Sequence, residues 1–226
     1  MNKHIFVFWT GDNELSRNRQ ISLLQLEKVS QYPVVLVNKQ NISDFLIESD
    51  PLPVGYQYLS ETHKSDFLRA YFMHYHGGGY ADIKQTSSSW SNAFQSIDTD
   101  NIILCGYPEF SYYQIAHIDY KKYWNILIGC GGFISKPKTP LTTEWYNAAK
   151  MLIEQKTELL EQFPATHPQD CAEGVVGMDM LGINRPKSNY PIEWNQILGR
   201  IFQPLVFKYR NFVSRTVPQP ITYDYR

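Results

Sequence analysis

Apolar residues in this chain come as short unbroken runs and as longer segments where they recur every three or four positions. Residues 4–9, HIFVFW, and 34–37, VVLV, are unbroken runs, the pattern of strands buried on both faces. Between them, Leu15, Ile21, Leu23, Leu24, Leu26 and Val29 keep roughly helical spacing, which predicts a helix over 14–30, ended by Pro33. Strand, helix and strand in about 35 residues make a βαβ unit and imply a parallel sheet. The turn Thr10-Gly11-Asp12-Asn13 then sits at the carboxyl edge of that sheet, where nucleotides commonly bind.

Residues 42–48 read as a short helix. A longer one is expected over 59–76, with Ser60 as N-cap and Gly77 as stop. Residues 79–84 read as a short strand or turn, and 101–107 and 128–135 as strands. A helix over 140–162, irregular chain to 190, a helix over 192–203 and a final strand over 204–209 complete the pattern. The class is α/β. A loop as long as 163–190 in a compact domain is often functional. No internal repeat or low-complexity linker divides residues 1–226, which are read as one domain.

Composition narrows the function. Twenty-one basic and 22 acidic residues leave a net charge of −1, so nothing draws the chain to nucleic acid. Aromatics reach 15%, enough to supply stacking surfaces for sugars and bases besides core. Cys105, Cys130 and Cys171 form no close-spaced pair, which favours free thiols in a reducing compartment. The N-terminal apolar run is too short for a secretory signal, and no stretch approaches the ~20 apolar residues that span a bilayer. A cytoplasmic protein is expected. The sequon Asn41-Ile42-Ser43 then reads as chance.

The chemistry concentrates in HKSDFLRAYFMHYHGGGYADIK, residues 63–84. Asp66 and Arg69 lie three apart and share a helix face. They are either a surface ion pair or, given the apolar residues around them, a pair completed by a bound polar ligand. Gly77-Gly78-Gly79 permits a positive-φ turn. Asp82 follows on an apolar piece, where a solitary carboxylate costs free energy unless it binds something. A hard cation carrying diphosphate oxygens suits it.

S-D-x-x-R, an apolar helix, G-G-G-Y and then x-D-x together resemble the DXD-region glycosyltransferases. These include yeast mannosyltransferases, bacterial capsular-polysaccharide transferases, the glucosylating domain of large clostridial toxins and virus-encoded enzymes that decorate capsids. The opening IFVFWTGD is similar to the same families, and WNILIGCGGFISKPKTPLTTEWY, residues 124–146, more loosely so. The resemblance implies a GT-A fold, a central mixed sheet flanked by helices that binds a nucleotide sugar. Trp9 would lie beside the nucleobase, with Phe8, Thr10 and Gly11 lining the uridine pocket and Tyr80 in the donor-binding set. Asp66 and Arg69 would hold donor-sugar hydroxyls, and Asp82 would be the first DXD carboxylate. Trp194 either covers the donor or anchors the C-terminal helix; Trp90 and Trp145 are assigned to the core.

Also implied are a UDP-sugar donor (UDP-glucose or UDP-galactose first), a glycan or protein-linked glycan acceptor, Mn²⁺ or Mg²⁺, and retention at the anomeric carbon. Lys84 departs from the motif, because lysine cannot ligate the cation as the last DXD carboxylate does. The favoured reading has Asp82 ligating the metal directly. The next has Lys84 contacting the diphosphate, and the third is an inactive binder. His167, more plainly an ordinary loop histidine, Asp170 and Glu173 are candidates for completing the metal shell. Asp119 and Asp179 are carboxylates that could face the acceptor. A non-catalytic nucleotide-sugar or glycan binder and a nucleotidyltransferase are the competing functions.

Overall fold

The computed structural model describes residues 1–98, 101–174 and 188–223, so Asp179 lies outside the described residues. The expected βαβ unit is β1 (Ile5–Trp9), α1 (Arg17–Ser30) and β2 (Val34–Asn38), with β1 and β2 parallel from Ile5 opposite Val34 to Trp9 opposite Asn38. Ser16 caps α1 by accepting from the Arg19 N–H at 3.3 Å. The helix α2 (Glu61–Tyr75) is capped by Ser60 and leads through the glycines into β3 (Gly78–Ala81). Then come β4 (Gln85–Thr86), α3 (Ser91–Asp98), β5 (Leu104–Pro108), β6 (Ile128–Ser135), α4 (Pro140–Gln155) and α5 (Thr157–Gln162). The described chain ends with α6 (Gly199–Lys208), β7 (Val213–Ser214) and β8 (Pro220–Ile221).

Among the described residues the main sheet has the order β2-β1-β3-β6-β5-β7, and β4 pairs with β8 separately. β1 is parallel to β2 and β3, β6 is antiparallel to β3 and β5, and β5 is parallel to β7. The sheet is therefore mixed, and β1, β3 and β5 all end at one edge. Alternation along the strands divides the core. Phe6, Phe8, Tyr80 and Phe133 join α2, α4 and α6 on one face. Ile5, Val7, Ala81 and Ile134 join Leu26 of α1 and Phe94 of α3 on the other. Trp145 and Trp90 are buried, one in each cluster.

Several elements depart from the sequence pattern. Residues 42–45 form only a 3-10 turn, and the expected helix over 140–162 is broken at Lys156 into α4 and α5. The run PLVFKY, expected as a strand, ends α6 instead, with Pro204 inside the helix. The proline suggests a break, yet Phe202 and Val206, one turn apart, are both fully buried on the core side of one continuous helix. Residues 194–198 are turns and not helix, and the strands after α6 are β7 and β8. The eight-residue α3 was not anticipated, although Ala93, Phe94 and Ile97 have helical spacing and are buried.

The triple glycine is demanded by geometry. Gly77 and Gly78 have φ of 60° and 86°, in the left-handed region. A Cβ at Gly77 would lie 2.6 Å from Pro137 Cδ, and one at Gly78 would lie 3.0 Å from the His4 carbonyl oxygen. Helix α2 thus ends sharply enough for β3 to enter between β1 and β6, and Asp82 emerges at the sheet edge.

Candidate active site

A cleft of about 770 Å³ opens at the edge where β1, β3 and β5 end. Its walls carry Phe8 to Gly11 from the end of β1 and the turn after it, Asp66 and Arg69 from α2, and Tyr80 to Lys84 from β3 and its exit. Tyr107 and Glu109 from the end of β5 and Cys130 and Gly131 of β6 complete the floor, with His167 and Trp194 on loops at the rim.

On the β1 side, the Trp9 indole N–H donates to the Asn13 carbonyl at 2.7 Å, and the Arg19 guanidinium lies 4.8 Å from the ring centroid. The Thr10 hydroxyl donates to Glu61 Oε2 at 2.6 Å. These contacts fix the turn after β1 against the start of α2. They leave an aromatic ring in the cleft wall, a stacking surface for a base.

The centre is a cluster of two acids and two bases drawn from two elements. Arg69 Nη2 lies 3.4 Å from Asp66 Oδ1 and 3.3 Å from Asp82 Oδ1. Lys84 Nζ lies 2.8 Å from Asp82 Oδ2, and the Tyr80 hydroxyl donates to Asp82 Oδ1 at 2.7 Å. Arg69 also donates to the Cys130 carbonyl at 3.1 Å and lies over the Tyr80 ring at 4.6 Å. Its Nε is buried without a partner among the described residues. Paired and only 5% exposed at Asp66, this is no solvated surface pair.

The two acids sit differently. Burial pushes the Asp66 carboxyl up to about 6, against the pull of Arg69. Burial also works against the Asp82 carboxylate, but Lys84 and Arg69 hold it down to about 2. At neutral pH Asp82 is firmly ionised, while Asp66 lies within reach of protonation.

The rim depends on a buried histidine. His63 Nε2–H donates to the Trp194 carbonyl at 3.3 Å, which leaves Nδ1 to accept from the Tyr190 hydroxyl at 2.8 Å. Burial pushes His63 down to about 4, so it is neutral near pH 7. Glu173 accepts from the Trp194 N–H at 3.1 Å. Together they hold the Trp194 loop over the start of α2.

Of the residues singled out in the sequence, Phe8, Trp9, Thr10, Gly11, Asp66, Arg69, Tyr80, Asp82, Lys84, His167 and Trp194 line this one cleft. Asp170 does not. Its buried Oδ2 accepts from the Thr166 N–H and hydroxyl at 3.1 and 3.3 Å, a turn-closing role. Asp119 is exposed and lies outside the cleft lining.

Glu109 went unremarked in the sequence. It is 8% exposed, lines the cleft and makes no side-chain hydrogen bond or ion pair among the described residues. Burial pushes it up to about 7. The usable signal was position: an acid just after an apolar strand, as Asp82 is. Tyr107, whose hydroxyl accepts from the Gly131 N–H at 3.2 Å, was missed likewise.

The residues as arranged do not fit a divalent ion. Asp82 gives both oxygens to cationic or hydroxyl donors. The companions expected for it fall short: His167 Nδ1 accepts from the Gln169 N–H at 3.1 Å, and Asp170 is turned to Thr166. Among the described residues no group of three or more His, Cys, Asp or Glu side chains is placed to hold a metal.

A mixed sheet flanked by helices, with a polar cleft at the edge where its parallel strands end, defines a GT-A-like α/β protein. Consistent with this, the solved structure of the PaToxG glycosyltransferase superposes with a TM-score of 0.51 over 92% of this chain and 69% of that one, at 11% identity, a likeness of fold. Residues 1–145 match the family model of the capsular polysaccharide synthesis proteins, and the chain belongs to that family. A comparison with curated protein sequences gave no significant match. Among the described residues, no helix is long and apolar enough to cross a membrane.

Proposed function

We propose that the protein is a glycosyltransferase that moves a hexose from a UDP-sugar to a glycan or protein-linked glycan. One observation carries this reading: Trp9, Asp66, Arg69, Asp82 and Lys84, from three separate stretches of sequence, meet in a single cleft large enough for a nucleotide sugar. In this reading the uracil stacks on Trp9 and the diphosphate lies by Lys84 and Arg69. Asp66 accepts hydrogen bonds from the hexose.

In the reaction the bond from the anomeric carbon to the diphosphate oxygen breaks, and its electron pair leaves on the diphosphate. The acceptor hydroxyl oxygen forms the new bond on the same face, and its proton passes to the departing phosphate oxygen. Negative charge grows on the leaving group, where Lys84 and Arg69 stand preorganised. Positive charge grows at the anomeric carbon and ring oxygen, near the Asp66 carboxylate. Cations held by buried carboxylates need little reorganisation as this charge develops.

Calorimetric titration with UDP-, GDP- and CMP-sugars, followed by assay of the released products, tests this. Preferential binding of UDP-sugars with slow release of UDP is expected. Release of pyrophosphate would point to nucleotidyl transfer, and binding without any turnover would point to a non-catalytic binder. The second of these is the reading that the Lys84–Asp82 pair favours if the enzyme reading fails. Binding of no nucleotide sugar would contradict the proposal.

A further inference from the structure

We propose that Lys84 stands in for a divalent ion: a nucleoside diphosphate binds directly to the Lys84 ammonium and the Arg69 guanidinium, with no metal between protein and phosphates. This deepens the nucleotide-sugar reading of the cleft and rests on it.

Asp82 carries the argument. Its Oδ2 lies 2.8 Å from Lys84 Nζ, and its Oδ1 accepts from the Tyr80 hydroxyl and lies 3.3 Å from Arg69 Nη2. A hard cation binds carboxylate oxygens at roughly 2.0–2.6 Å. On either oxygen it would stand against a fixed positive group. Gly131 of β6 lies against this carboxylate: a Cβ there would stand 3.0 Å from Asp82 Oδ2, so the wall accepts the Asp82–Lys84 pair because it carries no side chain at that point.

The two cations are held in place for another task. Arg69 is fixed by Asp66, Asp82 and the Cys130 carbonyl. Lys84 is fixed by Asp82, with its side chain 17% exposed at the cleft surface. Asp82 is thus a positioning residue that aims Lys84. A phosphate oxygen can accept from an ammonium or guanidinium in charge-assisted hydrogen bonds, as it would otherwise bind a metal. Farther along the cleft, Arg19 over Trp9 adds positive charge at the proposed nucleobase end.

The test is titration of the wild-type protein with UDP, in excess EDTA and again in saturating Mn²⁺. Equal affinity within about twofold is expected, as is no binding of Mn²⁺ titrated alone. Lys84→Ala should bind UDP at least about tenfold more weakly in EDTA, with circular dichroism confirming its fold. Lys84→Asp, which supplies a second carboxylate, should bind UDP only with Mn²⁺. Wild-type binding that requires Mn²⁺ would overturn the inference while leaving the nucleotide reading intact. So would a Lys84→Ala or Lys84→Asp protein that binds UDP in EDTA like the wild type. Failure of the wild type to bind UDP in either buffer would overturn both.

Discussion

Glu109 shows what a single side chain reveals about this cleft. A carboxylate 8% exposed and without a side-chain partner among the described residues costs free energy whenever it is ionised. Its pKa rises from 4.5 to about 7 on folding because burial disfavours the charged form. The folded state therefore binds a proton more tightly than the unfolded state. The stabilising contribution is full below pH 4.5 and is lost as pH rises through 7. The total is on the order of 3 kcal/mol at 1.36 kcal/mol per unit. Glu109→Gln should flatten the fall in stability between these values, measured by urea unfolding across pH; an unchanged slope would remove Glu109 from the buried wall. At the other end of the cleft, Trp9→Ala should weaken UDP binding by about 1–3 kcal/mol if the ring stacks on the base. A titration that matches wild type would make Trp9 mere packing. The carboxylate after β3 was legible in the sequence, because a lone acid on an apolar piece stands out. Glu109 was not, since PEF leads into a segment with no clear periodicity.

At the scale of elements, the join between α2 and β3 is decisive. Gly77 takes a left-handed φ of 60° with Pro137 packed where a side chain would stand. Gly77→Ala should cost roughly 1–3 kcal/mol in thermal or denaturant unfolding, through backbone strain and the clash together. A cost below ~0.5 kcal/mol would mean that the join can relax and that the glycine does not set the direction of β3. Elements with strong local patterns were legible: β1, α1, β2, α2 and β6 all lie near their expected positions. PLVFKY was not, because a short, mostly apolar run fits a strand or a buried helix equally, and only its packing beside Phe202 decides. The rim loop was hidden for another reason. Trp194 is set by His63, 131 residues earlier, and no local spacing encodes that pairing.

For the whole molecule, fold and site have one cause. Three strands that run the same way, β1, β3 and β5, deliver Trp9, Asp82 and Glu109 to one edge, and α2 lays Asp66 and Arg69 beside them. The class of fold was legible from alternation alone. The sheet order was not, because β3 and β6 pair antiparallel across more than forty residues of intervening chain. The lock between Asp82 and Lys84 was open in the sequence, where direct metal ligation by Asp82 was the favoured reading. Distances among Arg69, Tyr80, Asp82 and Lys84 turn the account toward a lysine-bound diphosphate. A crystal structure of the protein grown with UDP and EDTA tests this most directly. Uracil against Trp9 and phosphate oxygens within hydrogen-bonding distance of Lys84 Nζ, without an intervening ion, are expected. Nucleotide bound outside this cleft, or phosphates turned away from Lys84, would contradict it.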